Sequence, residues 1–180
     1  AKLMAAYLGF QFVDAAEWIF FNIDGTVDEK KSYAALRSKM TGQGIVTPGF
    51  YGVMPDGSIR TFSRGGSDIT GSLAAAALDA GVYENWTDVS GILMADPRIV
   101  ENPQPISEIT YDELRELAYA GANVLHEGAI FPVREKNIPL NIRNTNDPQA
   151  PGTMIRGQFE TEVDPHRVIT GITGKKDFSI

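Results

Sequence analysis

The segment Arg64-Gly-Gly-Ser-Asp68 combines residue types that bind anions where a strand gives way to a helix. Its two glycines let the backbone approach a ligand closely. The helix predicted to follow would present free N–H groups and the positive end of its dipole. Arg64 adds a planar guanidinium that matches a carboxylate or a phosphate. A purely structural interpretation stays open, in which the glycines form a turn and Ser67 or Asp68 caps the helix.

Two further groups of polar residues are candidates for binding. Thr87-Asp88 follows a predicted strand at residues 82–86, and ligands of open α/β sheets bind beyond the carboxyl ends of strands. An aspartate there can accept from a ribose hydroxyl or a base amine, although an Asx-turn would also explain it. Arg98, in the loop Asp96-Pro-Arg98, is either a phosphate ligand or a solvated charge. We interpret His126 as a half-buried histidine rather than a base.

Composition excludes several classes of function. The chain has 180 residues and is 43% apolar, enough for a packed core, but its longest apolar runs, such as 73–78, cannot span a membrane. With 16 Lys+Arg against 23 Asp+Glu, its formal charge of −7 disfavours nucleic-acid binding. It has no cysteine and two histidines, which excludes zinc–thiolate sites, disfavours histidine-rich metal sites and fits a cytoplasmic location.

The order of predicted elements indicates an α/β fold with a largely parallel sheet. A helix ends at Gly9, a hairpin turns at Pro55-Asp-Gly57, and Thr110-Tyr-Asp-Glu113 is a capping box. We predict Gly81 as the end of the helix that follows the glycine pair. The predicted helices are 3–8, 32–40, 69–80, one beginning at 110, and 129–136, and the strands are 49–53, 58–62, 82–86, 138–142 and 153–155.

Taken in order, several segments resemble the aspartokinases of the amino-acid kinase family, and the resemblance covers nearly the whole chain. The similar segments are Gly49-Phe50, Ser63-Arg-Gly-Gly-Ser-Asp68, Trp86-Thr-Asp-Val-Ser-Gly91, Ala95-Asp-Pro-Arg98, Ile109-Thr-Tyr-Asp-Glu-Leu114, Gly121-Ala-Asn-Val-Leu-His126, Asn137-Ile-Pro-Leu140 and Pro151-Gly-Thr153. The resemblance implies a three-layer αβα sandwich of the carbamate kinase-like type, with a largely parallel sheet. It also implies that residues 1–160 are the ATP-binding portion of the catalytic domain, and that 161–180 are a linker and the first strand of an ACT regulatory domain.

The resemblance implies that ATP phosphorylates the side-chain carboxylate of L-aspartate to give 4-phospho-L-aspartate, which opens the route to lysine, threonine and methionine. A carboxylate nucleophile is already ionised at pH 7, so catalysis reduces to positioning and charge neutralisation. Mg²⁺ would be held mainly by the phosphates. Family members usually form homo-oligomers, and neither a nucleic acid nor a membrane is expected as a partner.

On the substrate side, the resemblance implies that Arg64 grips an aspartate carboxylate and that Phe50 lines the same pocket. Asp68 would organise cations at the transferring group. The remaining contacts to substrate or phosphate would come from Ser67, Gly65 and Gly66.

On the nucleotide side, the resemblance implies that Thr87 and Asp88 hold the adenosine, with Leu93, Arg98 and Asn123 nearby. Two positions depart from the family pattern. Asn123 stands where a lysine often reaches the phosphates, and Leu93 stands where some members have a tyrosine.

Two features predict a fragment of a longer chain. The first helix begins at Ala1 without a cap, and the family's Lys-Phe-Gly-Gly strand and Gly-Glu pair have no counterpart here. We therefore expect no turnover by this chain alone. A non-catalytic module that senses a nucleotide or an amino acid is the alternative, as is another carboxylate kinase of the same family.

Overall fold

The computed structural model describes residues 1–42, 44–119, 125, 127–159 and 169–174. The chain divides into two compact units, residues 1–80 with 128–136, and residues 81–127 with 137–180. Each unit is described by itself below. The predictions for Asn123 and His126, and for the polar linker near residue 160, lie outside the described residues.

The first unit packs helices around two small pairs of strands. Strands β1 and β2 pair in parallel, and β3 and β4 form an antiparallel hairpin. The elements are α1 (Lys2–Leu8), β1 (Gln11–Phe12), a 3-10 helix (Ala15–Glu17), α2 (Glu29–Lys39), β2 (Ile45–Val46), β3 (Tyr51–Val53), β4 (Ile59–Thr61) and α3 (Gly66–Ala77). The buried core consists of Val13, Ala15, Trp18, Ile19, Phe21, Leu36, Leu73 and Ala77.

Local signals in this unit behave as the sequence predicts. Gly9 adopts a left-handed conformation, with φ of 67°, and ends α1. The hairpin turns at residues 55–57, where Gly57 has φ of 85° and its N–H donates to the Met54 carbonyl at 2.9 Å. The β4 residues are exposed, and β3 is half-buried rather than the buried strand that its apolar residues suggest.

Helix α3 lies three residues earlier than predicted at both ends. Its last residue is Ala77, and the chain turns at Asp79, which has φ of 47°, rather than at Gly81. The Asp79 carboxylate pairs with Arg37 at 2.9 Å and with Lys136 at 2.7 Å, which lowers the Asp79 pKa. Aspartate tolerates this backbone conformation, so two distant cations decide the helix end that a glycine was expected to set.

The second unit contains a four-stranded sheet with the order β5-β9-β10-β8. Strands β5 and β9 are parallel, as are β8 and β10, while β9 and β10 are antiparallel. The sheet is therefore mostly parallel, as predicted. The elements are β5 (Tyr83–Thr87), β6 (Ile92–Leu93), β7 (Pro105–Ile106), β8 (Glu108–Thr110), α4 (Tyr111–Tyr119), β9 (Leu140–Asn144) and β10 (Thr153–Arg156).

The last helix, α5 (Glu127–Glu135), belongs to the first unit from Gly128 onward. Within the described ranges, no helix combines the length and apolarity needed to cross a lipid bilayer.

The predicted capping box opens α4 and also holds a later segment. The Thr110 N–H and hydroxyl donate to one oxygen of Glu113, at 2.8 and 2.9 Å. The other oxygen accepts from the Thr170 hydroxyl at 2.5 Å, and the Ile172 N–H donates to the Met94 carbonyl at 2.7 Å. Residues 169–174 thus lie against α4 and the loop after β6, in irregular conformation.

Thr153 joins the sheet to the short ribbon formed by β6 and β7. Its hydroxyl is fully buried, accepts from the Ile92 N–H at 2.7 Å and donates to the Ile106 carbonyl at 2.5 Å. Gly91 precedes the ribbon, and a Cβ there would collide with the Thr153 hydroxyl. The sequence analysis predicts no strand at residues 92–93 or 105–106, because strands of two residues carry no detectable periodicity.

We predict that Thr153→Val lowers the free energy of unfolding by about 1–3 kcal/mol, because a buried donor and a buried acceptor lose their partner. Thr153→Ser keeps the hydroxyl and is the matched control. Urea denaturation of the three proteins measures the difference. Equal stability of the valine variant and the wild type would contradict the structural role given to this hydroxyl.

Candidate substrate and nucleotide sites

The start of α3 forms without a side-chain cap. Gly65 is the N-cap residue, with φ of 60° and ψ of 24°, and no side chain accepts from the first turn. Ser67 is exposed, and Asp68 is half-buried and lies inside the first turn. The structural alternative, in which Ser67 or Asp68 caps the helix, is therefore not what the chain adopts.

The backbone at Gly49 and Phe50 lies directly against this first turn. A Cβ on Gly66 would lie 2.8 Å from the Phe50 Cα, and one on Gly49 would lie 3.0 Å from the Ser67 Cα. The contact at Gly66 is too short for a side chain, and the one at Gly49 would be a tight contact that its neighbour must yield to. The structure thus brings Phe50 and the Arg64–Asp68 segment together, as the prediction for the substrate side requires.

Phe50 has an unusual backbone conformation. Its φ is 85°, a region that asparagine and aspartate tolerate but aromatic residues rarely enter. Its N–H donates to the Thr70 hydroxyl at 3.0 Å, and its carbonyl accepts from the Phe62 N–H at 3.0 Å. Its ring is 51% exposed, so the backbone is held while the side chain faces solvent.

The exposed face of Phe50 lines an open depression of about 530 Å³. The other lining residues are Asp14, Ala16, Tyr51, Ile59 and Thr61. The Tyr51 hydroxyl donates to the Asp14 carboxylate at 2.8 Å, and burial together with this bond raises the Tyr51 pKa. The wall of the depression is therefore mainly apolar, and its polar groups are the Tyr51–Asp14 pair and Thr61.

Arg64 is exposed, and its guanidinium makes no hydrogen bond or ion pair with the described part of the chain. A guanidinium in this state is available to a ligand, and Arg64 directly precedes Gly65, the N-cap residue of α3. The substrate-side residues that the sequence singled out therefore share one surface of the first unit.

The nucleotide-side residues lie in the second unit, at the carboxyl ends of β5 and β9. The Thr87 carbonyl, at the end of β5, accepts from the Thr145 N–H at 2.8 Å and from its hydroxyl at 2.9 Å. Asp88 is exposed and accepts from the Thr87 hydroxyl at 3.3 Å. Among the described residues it forms no Asx-turn, which leaves the ligand-binding interpretation of Thr87-Asp88 standing.

Sequence reasoning missed the part that β9 contributes to this edge. Thr145 ties the two strand ends together, and the Asn144 side-chain amide donates to the Ser90 hydroxyl at 2.8 Å. The strand was predicted to end at Ile142 and in fact ends at Asn144. The polar run Asn144-Thr-Asn146 immediately after an apolar strand was the available signal.

Leu93 lies in β6, and Arg98 lies in the loop that connects β6 to β7. The Leu93 side chain is 38% exposed. Arg98 forms a two-pronged contact with the Asp96 carboxylate, at 3.0 Å from Nε and 2.6 Å from Nη2, and its own N–H bonds the same group at 2.8 Å. Arg98 is therefore paired with Asp96. A phosphate that binds Arg98 would have to displace Asp96 or share the guanidinium with it.

The model of the amino acid kinase family matches residues 1–144, so the chain belongs to this family. Aspartokinase 3 of Bacillus subtilis is 42% identical over 97% of the chain. The aspartate kinase of Clostridium acetobutylicum is 56% identical with a TM-score of 0.89 over 96% of the chain. Aspartokinase III of Escherichia coli, solved with aspartate and ADP, is 32% identical with a TM-score of 0.76 over 83% of the chain.

The chain spans only part of these relatives. It covers 40% of the Bacillus and Clostridium proteins and 35% of the Escherichia chain. The two identities above 40% and the high TM-score support the amino-acid kinase fold expected from the sequence.

We predict that the Asp96 carboxyl titrates with a pKa of about 2, below its ordinary value of 3.8, because Arg98 holds it ionised. A depressed pKa in the folded chain means that the pair stabilises the fold above pH 3.8 and that this stabilisation is lost as the pH falls toward 2. A pH titration followed by carboxyl ¹³C NMR measures the Asp96 pKa in the wild type and in Arg98→Gln.

In Arg98→Gln, the Asp96 pKa rises toward 3.8. Arg115→Gln removes an arginine that pairs with Glu116 instead and leaves the Asp96 titration unchanged. If the Asp96 pKa is the same in Arg98→Gln as in the wild type, the ion pair is absent in solution.

Proposed function

We propose that this chain forms the substrate- and nucleotide-binding part of an aspartate kinase. In the reaction, a side-chain carboxylate oxygen of L-aspartate attacks the γ-phosphorus of ATP, the bond from that phosphorus to the β–γ bridging oxygen breaks, and ADP leaves. The observation that carries the proposal is Arg64, which is exposed, has no partner in the described part of the chain and directly precedes the uncapped start of α3. The aspartate and ADP bound by the Escherichia relative support both ligands.

On the substrate side, Arg64 binds a carboxylate of L-aspartate through its planar fork of N–H donors. Phe50 forms an apolar wall of the same pocket. Ser67 and the backbone of Gly65 and Gly66 contact the substrate or the transferred phosphoryl group, where the helix dipole favours negative charge. Because the attacking carboxylate is already ionised, these residues orient it and need not remove a proton.

Mg²⁺ fits the donor set around the start of α3. In the described ranges, no three His, Cys, Asp or Glu side chains lie close enough to form a metal site of their own. Mg²⁺ commonly takes one or two protein carboxylates and completes its ligands from substrate phosphates and water. Asp68, half-buried in the first turn, is the carboxylate that would help to hold it, and the ion would neutralise phosphoryl charge.

On the nucleotide side, Thr87 and Asp88 bind the adenosine at the carboxyl edge of β5 and β9. Leu93 offers an apolar contact, and Arg98 offers a phosphate contact once it is released from or shared with Asp96. Asn123, in place of the family lysine, supplies a neutral donor. From the resemblance to aspartokinases we further propose that the reaction begins lysine, threonine and methionine synthesis, and that the intact protein is a homo-oligomer.

We also propose the division of the chain into a catalytic portion, residues 1–160, and a linker that leads into an ACT domain, residues 161–180. The first ACT strand was expected in this segment, and its described residues, 169–174, form no strand. The Clostridium relative is described as an allosteric enzyme, which supports a regulatory segment. In this chain, the Ile172 N–H donates to the carbonyl of Met94, the residue after β6. This bond supports contact between residues 169–174 and the loop that follows Leu93.

We predict that two substitutions affect the two ligands separately. Arg64→Gln raises the Kd for L-aspartate by about 10- to 100-fold, because it removes charge-assisted hydrogen bonds, and leaves ATP binding intact. Asp88→Asn raises the Kd for ATP by about tenfold and leaves aspartate binding intact. Calorimetric titration of each variant with L-aspartate and with ATP, with and without Mg²⁺, measures both constants.

Arg115→Gln, an exposed arginine on α4, is the matched control and changes neither Kd. A wild-type chain that binds aspartate but ignores ATP would instead support an amino-acid sensor. Loss of both ligands in both variants would indicate unfolding rather than two separate contacts, and circular dichroism of each variant identifies that case.

A further inference from the structure

Phe50 is the outlier among the residues with positive φ. The others in the described ranges that are not glycine are Asp79, Asn102 and Asn137, residue types that enter this region at low cost. For a phenylalanine the left-handed conformation is strained, because the Cβ lies too close to the following carbonyl oxygen. Strain of this kind persists only where the surroundings hold it, and it is concentrated at functional sites.

The Phe50 backbone is held at two points, by the Phe62 N–H on its carbonyl and by the hydroxyl of Thr70 on its N–H. Thr70 is 3% exposed, and its Oγ1 accepts from the Phe50 N–H at 3.0 Å while donating to the Gly66 carbonyl at 2.7 Å. A hydroxyl has one proton and two lone pairs, so it can serve both bonds at once. One buried side chain therefore connects the strained residue to the first turn of α3.

The conformation depends on this bond. Phe50 lies beside the bare Cα of Gly66, and the extended conformation that phenylalanine prefers would turn its ring and N–H in other directions. Without the hydroxyl, the Phe50 N–H loses its partner, and the strained conformation loses part of what offsets its cost.

We propose that Thr70 is a positioning residue for aspartate binding. It acts through Phe50, whose backbone it fixes and whose ring then lines the substrate pocket, and through Gly66, which begins the anion-binding turn. This inference rests on the proposed function, because it takes the Phe50 and Arg64 surface as the site for L-aspartate.

The chain offers a matched control on the same helix. Ser72 is fully buried, and its hydroxyl has no hydrogen-bond partner in the described part of the chain. Ser72→Ala therefore removes a buried hydroxyl of α3 that touches neither Phe50 nor Gly66. Thr70→Val removes the Thr70 hydroxyl while keeping its volume, and Thr70→Ser keeps the hydroxyl.

The experiment combines two readouts on the wild-type chain and these three variants. Hydrogen exchange followed by NMR reports the protection of the Phe50 amide, and calorimetry reports the Kd values for L-aspartate and ATP. In Thr70→Val, the Phe50 amide exchanges at least about tenfold faster and the aspartate Kd rises about tenfold, while the ATP Kd is unchanged. Thr70→Ser and Ser72→Ala retain both wild-type properties.

A purely structural role for Thr70 gives a different result. In that case Thr70→Val unfolds more easily, but at a temperature where it stays folded its aspartate Kd equals that of the wild type, and this outcome overturns the proposal. Wild-type protection retained at the Phe50 amide of Thr70→Val overturns it as well.

The two proposals fail in different ways. If the wild type and Arg64→Gln give the same aspartate titration, the proposed function is wrong, and aspartate positioning by Thr70 is wrong with it. The exchange data then still decide whether Thr70 holds the Phe50 backbone. If Arg64→Gln weakens aspartate binding and Thr70→Val does not, only the positioning role is wrong.

Discussion

The close approach between Gly66 and Phe50 is the constraint on which the substrate-side surface depends. A single methyl group on Gly66 would lie 2.8 Å from the Phe50 Cα, so this packing exists only because the side chain is absent. The same approach brings Phe50 within reach of the Thr70 hydroxyl, which fixes a backbone conformation that phenylalanine does not choose alone. The Gly66–Phe50 packing, the Thr70 hydroxyl and the backbone of Phe50 therefore depend on one another. Arg64 directly precedes Gly65, the N-cap residue of α3.

The second unit positions its polar residues by strand direction. Parallel pairing of β5 with β9 places two carboxyl ends at one edge, where the Thr87 carbonyl takes both donors of Thr145. In open α/β sheets, ligands bind in the crevice outside the carboxyl ends of the strands. The short β6–β7 ribbon is fastened to the sheet by Thr153, so the position of Leu93 depends on a buried hydroxyl distant in sequence.

The sequence predicts features that local chemistry decides. The hairpin at residues 55–57, the stop at Gly9 and the capping box at Thr110 all formed as expected. Two features set by distant partners were not predicted. They are the end of α3, where Asp79 pairs with Arg37 of α2 and with Lys136 just after α5, and the pairing of β10 with β9. The glycine-rich turn and Thr87-Asp88 were recognised from the sequence. Thr70 and Thr145 were not, because their roles depend on what their hydroxyls meet in the folded chain.

The most direct test is turnover of L-aspartate by a graft. The 180 residues replace the matching segment of the Clostridium acetobutylicum aspartate kinase, and hydroxylamine traps any acyl phosphate as the hydroxamate. The account predicts hydroxamate formation that requires both ATP and L-aspartate, at a rate comparable to that of the parent enzyme. A folded graft that binds ADP yet forms no hydroxamate from L-aspartate would contradict the assignment.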